Sequence, residues 1–165
     1  MKKIVPCLWF DRQAEEAAKF YISTFKKRSR IKDVVRYGKE GFEIHGMPEG
    51  TVMTVDFELD GQPFTALNGG PLFRFNEAVS LQVFCKTQKE MDYFWDRLSE
   101  GGDPKARQCG WLKDRYGLSW QVVPTVMTRM MRTKDAKKLD RVMKVLLPMK
   151  KLDLKVLKRA YEGKT

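Results

Sequence analysis

A chain of 165 residues, 42% hydrophobic and 12% aromatic, is long enough to bury a real core as one domain or two small fused halves. No apolar run reaches membrane-spanning length, and Asp11 and Arg12 interrupt a start that lacks the apolar stretch of a signal peptide, so neither a membrane partner nor export is expected. The net charge of +11 is uneven: from Thr125 onward there are 13 Lys/Arg against 4 Asp/Glu, or +9, while residues 1–124 carry 19 against 17. The basic character therefore belongs to the C-terminal segment, and without a zinc-finger, KH or RNP motif no specific nucleic-acid partner is expected. Three cysteines, Cys7, Cys85 and Cys109, have no CxxC spacing and fit reduced thiols in a cytoplasmic protein better than a disulfide framework.

Ile4 to Phe10 reads as a strand of bulky apolar residues. Ala14, Ala17, Ala18, Tyr21, Ile22 and Phe25 then recur on one helical face, with Asp11 as expected N-cap and Glu15 and Glu16 at the positive end of the helix dipole. Ile31 to Tyr37 forms a second expected strand. Gly38 to Gly50, with four glycines and Pro48, reads as a loop. Thr51 to Leu59 alternates strongly, Asp60-Gly61 is a hairpin turn, and Gln62 to Asn68 returns as the fourth strand, ended by Gly69-Gly70-Pro71.

After a linker at Leu72 to Glu77 the order begins again. Ala78 to Cys85 is a strand, and Thr87 to Glu90 is a capping box opening a helix that buries Met91, Phe94, Trp95 and Leu98 and stops at Gly101-Gly102. A short segment near Lys105 to Gln108 precedes two strands joined by Asp114-Arg115-Tyr116-Gly117, the second alternating Leu118/Trp120/Val122 with Ser119/Gln121/Val123. Strand–helix–strands thus occurs twice at a spacing of roughly 75 residues, which suggests a duplicated half-domain. The fold expected is α+β: paired βαβββ modules, 1–71 and 78–124, forming a partly open barrel-like sheet with a cleft. A helical extension, 125–165, completes one globular domain. In that extension Ala136, Leu139, Val142, Met143, Leu146 and Leu147 form an apolar stripe ended by Pro148. Asp153 caps a last helix with Leu154, Leu157, Ala160 and Tyr161 inward, ended by Gly163.

With that order in hand, several phrases resemble the PhnB-like branch of the glyoxalase/bleomycin-resistance, or vicinal oxygen chelate, superfamily, often labelled 3-demethylubiquinone-9 3-methyltransferase-like. They are Pro6-Cys7-Leu8-Trp9-Phe10-Asp11, Ala14-Glu15-Glu16-Ala17 with Phe20-Tyr21, and Phe64-Thr65-Ala66-Leu67-Asn68-Gly69-Gly70. Phe75-Asn76-Glu77-Ala78-Val79-Ser80, Cys109-Gly110-Trp111-Leu112-Lys113-Asp114 and Ser119-Trp120-Gln121-Val122-Val123-Pro124 continue them, and Met143, Met149 and Lys151-Leu152-Asp153 look like the family's tail. The resemblance implies a small-molecule ligand and a homodimer.

Metalloenzymes of that superfamily hold a divalent ion on cleft-facing His and Glu, where an open coordination position polarises a vicinal oxygen pair. By resemblance, the matching positions here fall near Ile4 to Pro6, near Phe64, at Ser80 and at Gln121. Only the last two are polar, and neither is a good divalent ligand. The single histidine, His45, lies in the glycine-rich loop and reads as a surface residue, so no metal is expected. The methyltransferase label implies S-adenosylmethionine, yet no G-x-G-x-x-G turn follows a strand, so no cofactor is expected either. Cys7 or Cys109 could serve as a nucleophile only if Lys113 or an arginine lowered its pKa; a buried structural thiol is the simpler role for each. What remains is a ligand-binding cleft carrying Ser80, Gln82 and Gln121, flanked by Trp9, Trp111 and Trp120, unless those polar groups merely bond one another. The function expected is binding of a small molecule. The rivals are a metal-dependent lyase or dioxygenase, the labelled methyltransferase, and a drug-sequestering resistance protein.

Overall fold

The computed structural model describes residues 3–164 and divides the chain into two units, one ending at Phe75 and one beginning at Asn76. The first unit runs β1 (Cys7–Phe10), α1 (Ala14–Phe25), β2 (Arg30–Arg36), a single helical turn α2 (Phe42–His45), β3 (Val52–Leu59) and β4 (Gln62–Asn68). Its sheet has the order β1-β4-β3-β2, with β1 parallel to β4 and the other pairs antiparallel. Leu8, Phe10, Val55, Phe57, Phe64 and Ala66 fill one side of that sheet with Ala14, Ala17, Ala18 and Tyr21 of α1. This is the βαβββ module that periodicity predicts. The turn at Asp60 (φ 46°) and Gly61 (φ 80°) has both central residues at positive φ, the geometry a two-residue hairpin needs.

Two local expectations give way here. The first strand begins at Cys7, not Ile4, whose side chain is 83% exposed. Asp11 does not cap α1 either; Gln13 occupies the N-cap position without a side-chain bond, and Asn68 Oδ1 at the end of β4 accepts from Ala14 N at 2.8 Å. A residue 54 positions away supplies what the flanking sequence was expected to supply.

The second unit runs β5 (Ser80–Cys85), α3 (Gln88–Ser99), a 3₁₀ turn (Pro104–Ala106), β6 (Trp111–Lys113) and β7 (Ser119–Pro124), followed by α4 (Met127–Met131), α5 (Ala136–Leu146) and α6 (Leu154–Glu162). Its sheet has the order β5-β7-β6, with β5 parallel to β7. Each unit therefore closes its sheet by laying its last strand parallel to its first, with a helix between the first strand and the next. The second module is one strand short of βαβββ. Where the first module has β2, residues 104–108 make the 3₁₀ turn, started by Pro104 and capped by Asp103, and a lone bridge from Gln108 to Trp111.

Thr87 caps α3 as expected, with Glu90 N donating to Thr87 Oγ1 at 3.1 Å, but the reciprocal half of the box shifts by one residue, Glu90 Oε2 accepting from Lys86 N at 2.7 Å. Met91, Trp95 and Leu98 of α3 pack under β5 and β7 beside Val83, Cys85, Trp120 and Val122. The C-terminal extension belongs to this unit. Leu152, Leu154 and Leu157 are buried, and Met149 and Lys150 accept backbone hydrogen bonds from Cys109 and Gly110. The stripe on α5 is only partly covered, however. Val142 is buried, but Leu147 is 55% exposed. No helix among the described residues is long and apolar enough to cross a membrane.

Candidate functional site

The face of the second sheet opposite α3 carries the polar residues. Strand alternation and the pairings Ser80↔Ser119, Gln82↔Gln121, Trp111↔Gln121 and Lys113↔Ser119 define two rows across it. One row is Gln82–Gln121–Trp111 and the other is Ser80–Ser119–Lys113. Four of the expected ligand-binding residues, Ser80, Gln82, Trp111 and Gln121, therefore share one face. The three polar ones also bond to each other. Gln82 Nε2 donates to Gln121 Oε1 at 3.1 Å, and Gln121 Nε2 donates to Ser80 Oγ at 2.8 Å. Each amide still keeps a second N–H, and the Ser80 hydroxyl keeps its proton, so the chain is fixed but not exhausted.

Trp120 is placed differently. It points to the α3 side, is 2% exposed, and its indole Nε1 donates to Asp114 Oδ2 at 2.8 Å. It cannot present a ring to a ligand on the open face. Its role is to hold Asp114, itself 2% exposed, whose Oδ1 accepts from Tyr116 N and Leu118 N. This one carboxylate sets the β6–β7 turn, with Gly117 at φ 85°. Through that turn it fixes where Lys113 and Ser119 stand.

Trp9 lies on the first unit's sheet. Its Nε1 donates to Gly70 O at 2.9 Å and its ring packs edge-on to Phe73 at 4.9 Å. The ring also covers Gly69 so closely that a Cβ there would sit 2.2 Å from it. Much of this indole is already committed to the 69–73 segment.

The residue that spacing alone does not single out is Ser119. It is 1% exposed, and its Oγ has no hydrogen-bond partner among the described residues. It lines a cavity of about 370 Å³ together with Trp111, Leu112, Lys113, Glu77 and Cys109. Alternation had placed Ser119 on the same face as Gln121. That its hydroxyl goes unpaired is a three-dimensional fact. Lys113 Nζ pairs with Glu77 at the same cavity, and that hydrogen bond holds the Glu77 carboxyl below its usual range.

Neither Cys7 nor Cys85 is activated as a thiolate. Cys7 is exposed, so the buried role expected of it does not hold; partial desolvation first, then the charge of Asp56, pushes its thiol up. Burial first, then Glu90, pushes Cys85 up to about 12. Cys109, at φ 51°, directs its Sγ to Leu147 O at 3.4 Å. His45 is likewise engaged: Nδ1 accepts from Met47 N at 3.0 Å, Nε2 lies 3.2 Å from Glu40 O, and the ring stacks beside Tyr37. Both ring nitrogens are thus used to close the 40–47 loop. Among the described residues no group of three or more His, Cys, Asp or Glu is arranged to hold a metal ion. The donors on the open face, two mutually bonded amides and two hydroxyls, do not fit a divalent cation.

Against known proteins, residues 2–123 match the family described as 3-demethylubiquinone-9 3-methyltransferase. A PhnB protein from Bacillus cereus bearing the same methyltransferase name is 36% identical, with a TM-score of 0.63; the match covers 75% of this chain and all of that one. Protein PA1353 from Pseudomonas aeruginosa is 18% identical over 75% of this chain and 98% of its own, with a TM-score of 0.56. The fosfomycin resistance protein FosX from Mesorhizobium loti is 13% identical over 80% of this chain and all of its own, at a TM-score of 0.50, a likeness of fold. No curated protein matches. The family match stops at residue 123, so the tail residues Met143, Met149 and Lys151 to Asp153, expected as part of the resemblance, lie outside it.

Proposed function

For this chain, which belongs to the 3-demethylubiquinone-9 3-methyltransferase family and has the PhnB-like glyoxalase fold, we propose binding of a small, oxygen-bearing or aromatic molecule on the open face of the second sheet. The observation that carries this is the buried, unpartnered hydroxyl of Ser119 in the wall of a cavity of about 370 Å³. A buried hydroxyl left without a partner costs on the order of 1–3 kcal/mol, so a ligand oxygen that pairs with it gains where water-exposed surface would not. Trp111 offers a half-buried apolar ring in the same cavity wall, and the fixed Gln82–Gln121–Ser80 chain lies outside that wall, on the neighbouring strands of the same face, where it offers oriented donors and acceptors. Apolar wall and few convergent polar groups are what a small-molecule site requires. Trp120 acts through Asp114 by holding the turn, and Trp9 serves the first unit, where its indole is bonded to Gly70.

The assignment is to binding. The donor set favours neither metal-dependent lyase or dioxygenase chemistry nor a nucleotide-bearing cofactor. Exposed apolar residues on and beside the open face, Phe84 at 50% and Val79 at 69%, support a homodimer in which a second copy covers them. Three free thiols support a cytoplasmic setting. The test is titration with small catechols, quinones and aryl ketones, following the part of the indole fluorescence that Trp111→Phe removes and the side-chain amide signals of Gln82 and Gln121. Ser119→Ala and Gln121→Leu are expected to weaken binding about tenfold each, the value of one well-placed hydrogen bond. Ligands that leave both amide signals unmoved, or bind both variants as tightly as the parent, would remove the basis for this site.

A further inference from the structure

The positive charge of this protein arrives with a segment its family match does not include. Residues 125–165 carry +9 of the net +11, and the match ends at 123. Much of a charge excess in helices is simply solvated surface. Here part of it is concave. Between α5 and α6 runs a groove of about 500 Å³, whose walls are Arg141 and Lys144 on one side and Arg159 and Lys164 on the other. Its floor is Val145, Val156 and Ala160, and no carboxylate lines it. Val156 is 39% exposed, an apolar residue open to solvent between four cations.

Arg141 is held in place. Its Nε donates to Ala160 O at 2.9 Å and an Nη to Tyr161 O at 3.3 Å, which also satisfies carbonyls at the end of α6. A guanidinium has five N–H donors, so most of them remain for an anion. A charge fixed by its own backbone bonds loses little side-chain entropy on binding. Lys164 is already paired with Glu162 at 2.8 Å, so the charge the groove offers an anion comes chiefly from Arg141, Lys144 and Arg159. The groove thus joins an apolar floor to a cationic rim.

We propose that this groove binds an amphiphilic organic acid: a carboxylate or phosphate monoester on an apolar body of medium-chain length. The volume lies in the usual range of ligand pockets, roughly 300–1,000 Å³. Charge complementarity selects an anion, and the valine floor selects an apolar body behind it. A nucleic-acid backbone would use the cations but leave the floor idle, and the one aromatic ring of α6, Tyr161, already carries Lys138 at 5.4 Å rather than standing open for a base.

The experiment is calorimetric titration of the full chain with decanoate and decyl phosphate, below their aggregation limits, against decanol and inorganic phosphate. Saturable binding of one amphiphilic acid per chain is expected, at least about tenfold tighter than either decanol or phosphate, and weakening with salt. Comparing the two acids distinguishes carboxylate from phosphate as the preferred head group. The double variant Lys144→Glu/Arg159→Glu, which leaves the structural Arg141 alone, should weaken binding by about tenfold or more while circular dichroism and the melting curve are retained. Val156→Gln should weaken the acids but not inorganic phosphate. The proposal is overturned if decanol binds as well as decanoate or if phosphate alone accounts for the affinity. It is equally overturned if the double variant binds like the parent, or if duplex DNA or anionic vesicles bind where the soluble acids do not. Binding abolished by Gln121→Leu and untouched by the double variant would place the acid on the sheet face and overturn the groove while leaving the sheet site standing.

Discussion

Asp114 offers the sharpest test of how this fold positions its site. Its Oδ1 accepts from Tyr116 N at 2.9 Å and Leu118 N at 3.1 Å, and its Oδ2 accepts from Trp120 Nε1 at 2.8 Å. Leu118 is 3% and Trp120 2% exposed, so water cannot replace the lost partner at either. Asp114→Asn keeps an oxygen for the two backbone donors but turns an NH₂ toward the indole N–H, leaving one buried donor unsatisfied. The cost expected is about 1–3 kcal/mol. Asp114→Ala strands two buried donors and is expected to cost about 2–6 kcal/mol, a large share of the roughly 5–15 kcal/mol that holds a domain together. Urea denaturation followed by indole fluorescence reads both. The discriminating step is a double-mutant cycle with Trp120→Phe, which removes the indole donor. If the carboxylate–indole bond carries the effect, Asp114→Asn should cost markedly less in the Trp120→Phe background, with a coupling of about 1–2 kcal/mol. A penalty for Asp114→Asn below about 0.5 kcal/mol, or one unchanged when residue 120 is Phe, would refute the carboxylate–indole bond, and a penalty for Asp114→Ala no larger than that for Asp114→Asn would refute the claim that Oδ1 anchors the turn.

Two further perturbations follow from the same geometry. Gly110→Ala places a Cβ 2.9 Å from Val122 O and 3.1 Å from Leu152 at a φ of 85°, so a loss of roughly 2 kcal/mol or more is expected, together with faster proteolysis of residues 125–164. Unchanged proteolysis would mean that Gly110 does not seat the extension. Cys85 is expected to resist alkylation in the native state, because burial and then Glu90 raise its thiol from the ordinary 9.0 to about 12. A raised folded value keeps the thiol protonated, so the stability it contributes is complete below pH 9 and is lost as pH climbs toward 12. Cys85→Ala should flatten that alkaline decline, and equal labelling of all three thiols at pH 8 would contradict the burial argument.

Local chemistry was legible in the sequence wherever its partners are close in the chain. Thr87 caps α3 as its spacing with Glu90 requires, Asp60-Gly61 makes the hairpin, and Asp114 builds the turn before Gly117. Alternation put Ser80, Gln82 and Gln121 on one face, and they meet there. What stayed hidden is set by distant partners. Asp11 and Asn68 are equally good caps on paper; only the parallel pairing of β1 with β4 brings Asn68 to Ala14. Trp111 and Trp120 look alike as aromatic strand residues, yet one is half-buried on the open face and the other is sealed against Asp114. The missing strand of the second module was obscured for the same reason: Lys105 to Gln108 has nothing in its composition that forbids a strand, but Pro104 and the Asp103 cap wind it into a 3₁₀ turn.

The extension is where these arguments meet, because its attachment to the second unit is structural as well as electrostatic. Cys109 N and Gly110 N donate to Met149 O and Lys150 O at 2.7 and 2.8 Å, extending hydrogen bonding beyond Gly110 O, which accepts from Val122 N. Gln88 bonds Leu152 O and Leu154 N, and Lys151 pairs with Asp92 on the outer face of α3. Leu152, Leu154 and Leu157 are 2%, 7% and 0% exposed, and burying each is worth about 1.5–3 kcal/mol. Cutting the chain after Pro124 removes that burial and leaves two backbone donors and the Gln88 amide without their partners. The loss expected exceeds about 5 kcal/mol, comparable to the whole stability of a small unit. Residues 1–124 should therefore lose protected amides in β5, β6 and β7 on hydrogen exchange while β1, β3 and β4 keep theirs. A truncated chain with native protection in both sheets would show that the second module stands without its extension, and that the basic helices are an accessory rather than part of its core.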